Sequence, residues 1–236
     1  TAPLDEEAAG KVDAAFALLA RAIAVYEASP EVNRFSSRYD AFVGGQGTLS
    51  AQELAGLELF NTKGKCSACH ITDAGPSGEG ALFTDFTYDN LGVPRNPANP
   101  YYEMAANPLG ADWVDLGVGP TLAADLIYAP LADDMMGKVK VPTLRNVDAR
   151  ATPDAPRAYT HNGYFKTLAG VVRFYNTRDV WPACAGNLPE AEALAQRCWP
   201  KAEVPATVNR DELGNLKLTE VEEAAIVAFL QTLTDR

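Results

Sequence analysis

The chain has 236 residues, 47% of them hydrophobic and 22% charged, with a formal net charge of −11. That is the balance of an ordinary globular protein, and its acidity argues against nucleic acid, whose phosphates select a basic surface. No apolar run is long enough to span a bilayer, and the absence of a signal peptide at Thr1 reads as a mature or processed form.

Residues 5–28 read as a long helix. Val12, Ala15, Phe16, Leu19, Ile23 and Tyr26 recur at helical spacing, and Pro30 marks the end. The polar, turn-rich stretch 33–47 follows. Ser50 with Glu53 three residues on is a capping box, opening a second helix with Leu54, Leu57 and Phe60 on its apolar face.

That helix runs into Cys66-Ser67-Ala68-Cys69-His70. Two cysteines spaced by two residues and followed directly by histidine form the attachment sequence for c-type haem. The two thiols add to the porphyrin vinyl groups as thioethers, and one turn brings the His70 imidazole to the iron as an axial ligand. A thioredoxin-like dithiol would want a βαβ context, and none is visible. A structural zinc would need two further ligands, and neither a second CxxC nor a nearby His supplies them.

Ten prolines between Pro76 and Pro156 interrupt the stretch 72–166. So long an irregular segment makes sense if it wraps a large apolar cofactor that stands in for a side-chain core. Order returns at Thr167, where Leu168, Val171, Val172 and Tyr175 share one face of a short helix. Residues 177–215 form a second irregular excursion, holding Cys184 and Cys198 with Trp181 and Trp199 beside them. With Cys66 and Cys69 on haem, these two cysteines remain as a pair closing a short loop. An oxidising compartment would join them as a disulfide; two buried thiols are the alternative. Haem attachment and a disulfide both point to a bacterial periplasm. The last helix starts at Thr219, with Glu222 completing another capping box and Ala225, Phe229, Leu230 and Leu233 on its apolar face.

A helix before CxxCH and a helix at the C-terminus are the pair that class I cytochromes c cross at one haem edge. The expected fold is therefore mainly α: a cytochrome-c-like haem domain at 48–236 with long irregular loops. An extra N-terminal helix and linker occupy 1–47.

Several runs, in order and spread over nearly the whole chain, resemble the di-haem cytochrome c peroxidase and MauG family, specifically its C-terminal haem half. They are AIAVYE at 22–27, LELF at 57–60, FTD at 83–85, NLGVP at 90–94, KVPTLRNV at 140–147, HNG at 161–163, TL at 167–168 and FY at 174–175. In that family the second axial ligand lies fourteen residues after the histidine of the HxG motif, a place Tyr175 occupies here. The resemblance thus implies a His70/Tyr175 iron, methionine being usual in the peroxidases and tyrosine in MauG-type proteins. Phenolate favours ferric iron and would hold the potential low. Tyr175 also fits as a packing residue, and Met135 or Met136 are the rival ligands.

The motif places His161 beside the distal face of the haem, with a supporting or electron-transfer role. Arg145 could pair with a haem propionate, since guanidinium matches carboxylate geometry; an ordinary ion pair is the alternative. The family normally carries two CxxCH sequences and this chain carries one. Residues 1–47 resemble the end of an N-terminal half that bears the peroxide-binding haem. The family's calcium site, between its halves, is doubtful here, because 152–159 departs from the usual threonine–proline run.

The leading expectation is a periplasmic c-type cytochrome passing single electrons through one covalent haem c to or from a redox partner protein. The alternative is a hydrogen peroxide-dependent peroxidase or MauG-like oxidase, working with a second haem-bearing half or chain. A small-ligand sensor is a third reading, and like the enzyme it needs an open iron position.

Overall fold

The computed structural model describes residues 6–75, 78, 80–150, 152 and 155–236. Among them are seven α-helices, short 3-10 turns and one two-stranded antiparallel ladder. The mainly α fold agrees with the sequence expectation.

Helix α1, Glu6–Glu27, forms where the periodicity puts it, yet its apolar residues find no core. Phe16 is 75% exposed and Leu19 63%, and Val12, Ile23 and Tyr26 are exposed too. Helix α2, Arg38–Val43, lies inside the stretch read as polar and turn-rich, where no helix was expected. A Ser37/Asp40 capping box starts it, and Tyr39 drops into the core with its ring 5.2 Å from Phe83 and 5.7 Å from Phe229.

Helix α3, Ala51–Asn61, begins at the expected box: Ser50 Oγ accepts from Glu53 N–H, and Ser50 N–H donates to Glu53 at 2.7 Å. Its buried positions are Glu53, Gly56 and Phe60, whereas Leu54 is 41% exposed. Phe60 and the half-buried Leu57 face the core as expected, and only Leu54 departs from the expected face, while Glu53 turns inward to take a two-pronged ion pair from Arg38. Gly56 supplies the contact with the C-terminal helix: a Cβ there would lie 2.0 Å from the Ala225 carbonyl oxygen.

The proline-rich middle is irregular as expected, with α4 at Gly119–Ala123. Strands β1, Tyr88–Asp89, and β2, Val139–Lys140, pair Tyr88 with Lys140 and Asp89 with Val139. Thr84 Oγ1 donates to Val141 O at 2.7 Å, extending the tie between these segments.

Helix α5, Leu168–Thr177, is capped by Thr167, whose hydroxyl accepts from Gly170 N–H at 2.9 Å. Helix α6, Glu190–Gln196, was not foreseen, since it sits inside an excursion expected to be irregular. It delivers the buried Glu190 carboxylate to the start of α5, where that carboxylate accepts from Lys166 N–H and the Thr167 hydroxyl. A carboxylate at that end offsets the helix dipole and satisfies otherwise unpaired donors. Helix α7, Glu220–Leu230, opens with the expected Thr219/Glu222 box and continues as a 3-10 turn, Gln231–Leu233.

Two aromatic-rich cores result. The first joins α2, α3, α5 and α7 through Phe60, Phe83, Leu168, Ile226 and Phe229. The second joins α5 and α6 through Tyr164, Phe165, Phe174 and Trp199. Cys184 and Cys198 form a disulfide at its edge.

Candidate haem site

Between the two cores lies a cavity of about 470 Å³. Leu91, Val93, Leu168, Val172, Ile226 and Leu230 give it an apolar wall. The crossing of α3 and α7 closes one end, and the ladder region contributes Val139 and Val141.

The attachment motif enters through a tight reversal after α3. Lys65 has a positive φ of 54°, and Gly64 has no room for a side chain, since a Cβ would meet Leu59 O at 2.7 Å. Residues 66–68 make one 3-10 turn, and His70 N–H returns to Cys66 O at 2.9 Å. Cys66, Cys69 and His70 therefore all line the cavity. Both cysteines are free thiols. Burial pushes Cys66 up to about 12; burial and then the Glu212, Asp85 and Asp89 charges push Cys69 up to about 11. Protonated thiols at neutral pH are poor dithiol nucleophiles, which argues against thioredoxin-like redox work.

His70 Nδ1 lies 2.8 Å from Phe83 O. A carbonyl only accepts, so Nδ1 carries the proton and Nε2 keeps the lone pair a metal needs. Burial lowers the His70 pKa against the opposing pull of that bond, favouring the neutral ring. The carbonyl is aimed by an unusual backbone: Phe83 is wholly buried, with φ at 53°. A bulky residue in the left-handed region is a genuine outlier, held here by its contacts with Tyr39 and Phe60.

Tyr175 reaches the same cavity from α5. Burial, followed by the neighbouring cysteines, pushes its hydroxyl well above the ordinary value, so it is a neutral phenol in this apolar wall. Met135 and Met136 do not line the cavity; both belong to the turns after α4, and Met136 packs against Gly119.

His161 lines the cavity, with Nε2 3.8 Å from the buried carboxylate of Glu203. That separation is within ion-pair range for a protonated imidazole and too long for a hydrogen bond. Burial works against ionisation of Glu203, and His161 together with Asp115 N–H outweighs it, so the carboxyl sits below its usual range.

Arg145 is not among the lining residues. It is buried in a clamp, 2.6 Å from Asp40 and 3.2 Å from Asp235, with its guanidinium 4.4 Å over the Phe35 ring. Two carboxylates of the chain already occupy the guanidinium edge expected to meet a propionate.

Sequence reading missed two groups that shape the cavity. Arg178 donates to the carbonyls of Leu91, Asn209 and Leu213, tying two loops to the end of α5. Asn90, buried, bonds Val204 O, Thr207 Oγ1 and Gly92 N–H. Arg178 stood in no pattern of chemical meaning and Asn90 only within the run at 90–94, because the loops they tie together meet from segments distant in sequence. Among the described residues no group of three or more His, Cys, Asp and Glu side chains is set to hold a metal ion. Part of the 152–159 stretch weighed for calcium lies outside them.

The donor set fits a covalently held haem: two unpaired thiols and one oriented imidazole on the wall of an apolar cavity. Cys66, Cys69 and His70 would hold it, and its chemistry is one-electron exchange at iron.

No protein-family model matches the chain. It is 35% identical over 223 residues to methylamine utilization protein MauG of Paracoccus denitrificans, covering 94% of this chain and 52% of that protein. It is 34% identical over 147 residues to cytochrome-c peroxidase IdrP2 of Denitromonas iodatirespirans, covering 58% of this chain and 35% of that one. The crystal structure of the diheme peroxidase BthA from Burkholderia thailandensis superposes with a TM-score of 0.65 at 33% identity, over 88% of this chain and 48% of the other. The chain thus spans about half the length of the MauG and BthA chains it matches. It belongs to the MauG and di-haem cytochrome c peroxidase family, and its extent fits one haem-bearing half of that design.

Proposed function

We propose that this chain is the electron-relaying haem half of a hydrogen peroxide-dependent enzyme, a di-haem peroxidase or a MauG-like oxidase, working in the periplasm. The observation that carries the reading is the convergence of Cys66, Cys69, His70 and Tyr175 on one apolar cavity, with His70 Nδ1 already committed to Phe83 O. In that reading His70 and Tyr175 are the two residues that would hold the iron. A phenol buried as neutral would give up its proton on binding ferric iron, since a bound cation inverts the local pKa balance. His161 stands at the cavity wall, and the Glu203 carboxylate 3.8 Å behind its Nε2 backs the imidazole.

With both residues on the iron no position would be open, and peroxide would then be handled at a second haem, in another half or another chain. Residues 1–47 are the boundary with that partner, and the exposed apolar side chains of α1 support this. A stand-alone electron carrier is the second reading, favoured by the same closed iron. The similarity to enzymes over most of the chain weighs for the first. No helix among the described residues is long and apolar enough to cross a membrane.

The test is the ferric spectrum of haem-loaded protein beside its Tyr175→Phe variant. A low-spin spectrum without a thioether band, altered by the substitution, is expected. An unchanged spectrum makes Tyr175 a packing residue, and a thioether band would put a methionine on the iron. Peroxide turnover with a one-electron donor separates enzyme from carrier.

A further inference from the structure

The second core holds an indole pair that neither the attachment motif nor the cavity uses. From Tyr175, on the cavity wall, the Phe174 ring is 6.4 Å away, and Trp199 lies 5.1 Å beyond Phe174. Trp181 then stacks on Trp199 at 5.3 Å, the planes inclined by only 17°. Trp199 is buried, and Trp181 is half-buried. The rings therefore form an unbroken series from the cavity to the surface.

The chain spends specific structure on this stack. The Cys184–Cys198 disulfide joins the two segments one residue from Trp199. Cys184 N–H donates to Trp199 O at 2.9 Å, and Trp199 N–H to Pro182 O at 3.1 Å. Trp199 Nε1–H donates to Thr177 Oγ1 at 3.0 Å, fixing the inner ring. Aromatic packing alone would be served by phenylalanine or leucine, whereas indole is readily oxidised by one electron.

We propose that Trp199 and Trp181 form a one-electron relay, with Trp181 the surface site at which an external one-electron donor supplies the haem cavity. The proposal rests on the peroxide-dependent reading above. Reduction of peroxide to two waters takes two electrons and two protons and leaves the haem site two electrons short. One electron then passes from Trp181 through Trp199 to the cavity, with Phe174 as the intervening medium. Oxidised Trp181 gives its Nε1 proton to solvent and becomes a neutral radical. The donor returns one electron and water one proton, and a second passage completes the balance. The buried Trp199, bonded at Nε1, has no such proton exit, so the radical settles on Trp181. Arg197, 5.7 Å over the Trp181 ring, disfavours the cationic form and hastens proton loss.

The test uses haem-loaded protein at the full length its gene encodes, mixed with hydrogen peroxide and a nitroso spin trap but no donor. The Soret band reports the haem's reaction, and peptide mass spectrometry reports where the trap adds. Trp113, also half-buried but packed on Tyr101 outside the series, is the internal control. The expected result is an adduct on Trp181, lost in Trp181→Phe. It is also lost in Trp199→Phe with the Soret response intact, and Trp199→Tyr, which keeps an oxidisable ring, restores it. An intact Soret response with no adduct on Trp181, or an adduct that survives Trp199→Phe, overturns the relay alone. A Soret band that peroxide leaves unchanged removes the peroxide-dependent reading, and the relay, deprived of its oxidant, falls with it.

Discussion

Gly56→Ala tests whether the α3–α7 crossing sets the shape of the cavity. The added methyl would lie 2.0 Å from Ala225 O, 2.6 Å from Ala225 C and 2.9 Å from Phe229 Cβ, where ordinary contact begins near 3.4 Å. Two of these atoms are backbone, so relief requires the helices to part by more than an ångström. Phe60 and Ile226 lie at that interface and also line the cavity, so their packing loosens together. Overpacking of this severity belongs at the upper end of its usual range, about 3 kcal/mol. Alanine's better helix propensity returns about 1 kcal/mol. The net loss is about 2 kcal/mol, a fall in Tm of roughly 4–8 °C for a domain of this size. Thermal unfolding of haem-loaded protein, followed by circular dichroism and by the Soret band, measures both consequences. A variant as stable as the parent, with an unchanged Soret band, would refute the claim that this close approach is required.

Three further outcomes are expected. Arg145→Ala strands the Asp40 and Asp235 carboxylates in a buried site and should cost about 3–5 kcal/mol in denaturant unfolding, as breaking a buried ion pair does; a loss below 1 kcal/mol would mean an idle surface charge. The same clamp has a pH signature. Burial opposes ionisation of Asp40, but its bonds to Arg145 and Ser37 prevail and depress the pKa, so its contribution is complete above the ordinary carboxylate range and disappears as pH falls through the lowered value. Stability of the parent should fall with acid more steeply than that of Arg145→Ala, and parallel curves from pH titration of the unfolding midpoint would contradict this. Reduction of Cys184–Cys198, which closes a loop with a sequence separation of 14, should lower stability by about 3 kcal/mol; an unchanged midpoint in reductant would show that the hydrogen bonds around Trp199 hold the loop unaided.

Local chemistry is what a sequence states well. Cys66, Cys69 and His70 announce a haem because their spacing matches one porphyrin and one turn of backbone. The Ser50/Glu53 and Thr219/Glu222 boxes announce helix starts because both partners lie within four residues. The proline-rich 72–166 announces irregular chain for the same local reason. Helices α2 and α6 escaped because they are short and their decisive contacts are remote: Tyr39 on Phe229, and Glu190 on the start of α5.

The tertiary structure decided how those pieces are used. It turned Arg145 from a prospective propionate partner into a clamp on Asp40 and Asp235, because the chain brings those acids from 105 and 90 residues away. It left the periodic face of α1 exposed, since periodicity reports that a helix has an apolar side and not what covers it. It put Tyr175, but neither Met135 nor Met136, on the cavity wall, and lined up Trp181 and Trp199 behind it. The sequence by itself determined the cofactor's anchor, because anchoring is a matter of five adjacent residues. Only the folded chain decided what faces that anchor, because the far wall is assembled from segments a hundred residues apart whose meeting depends on packing and long-range hydrogen bonds.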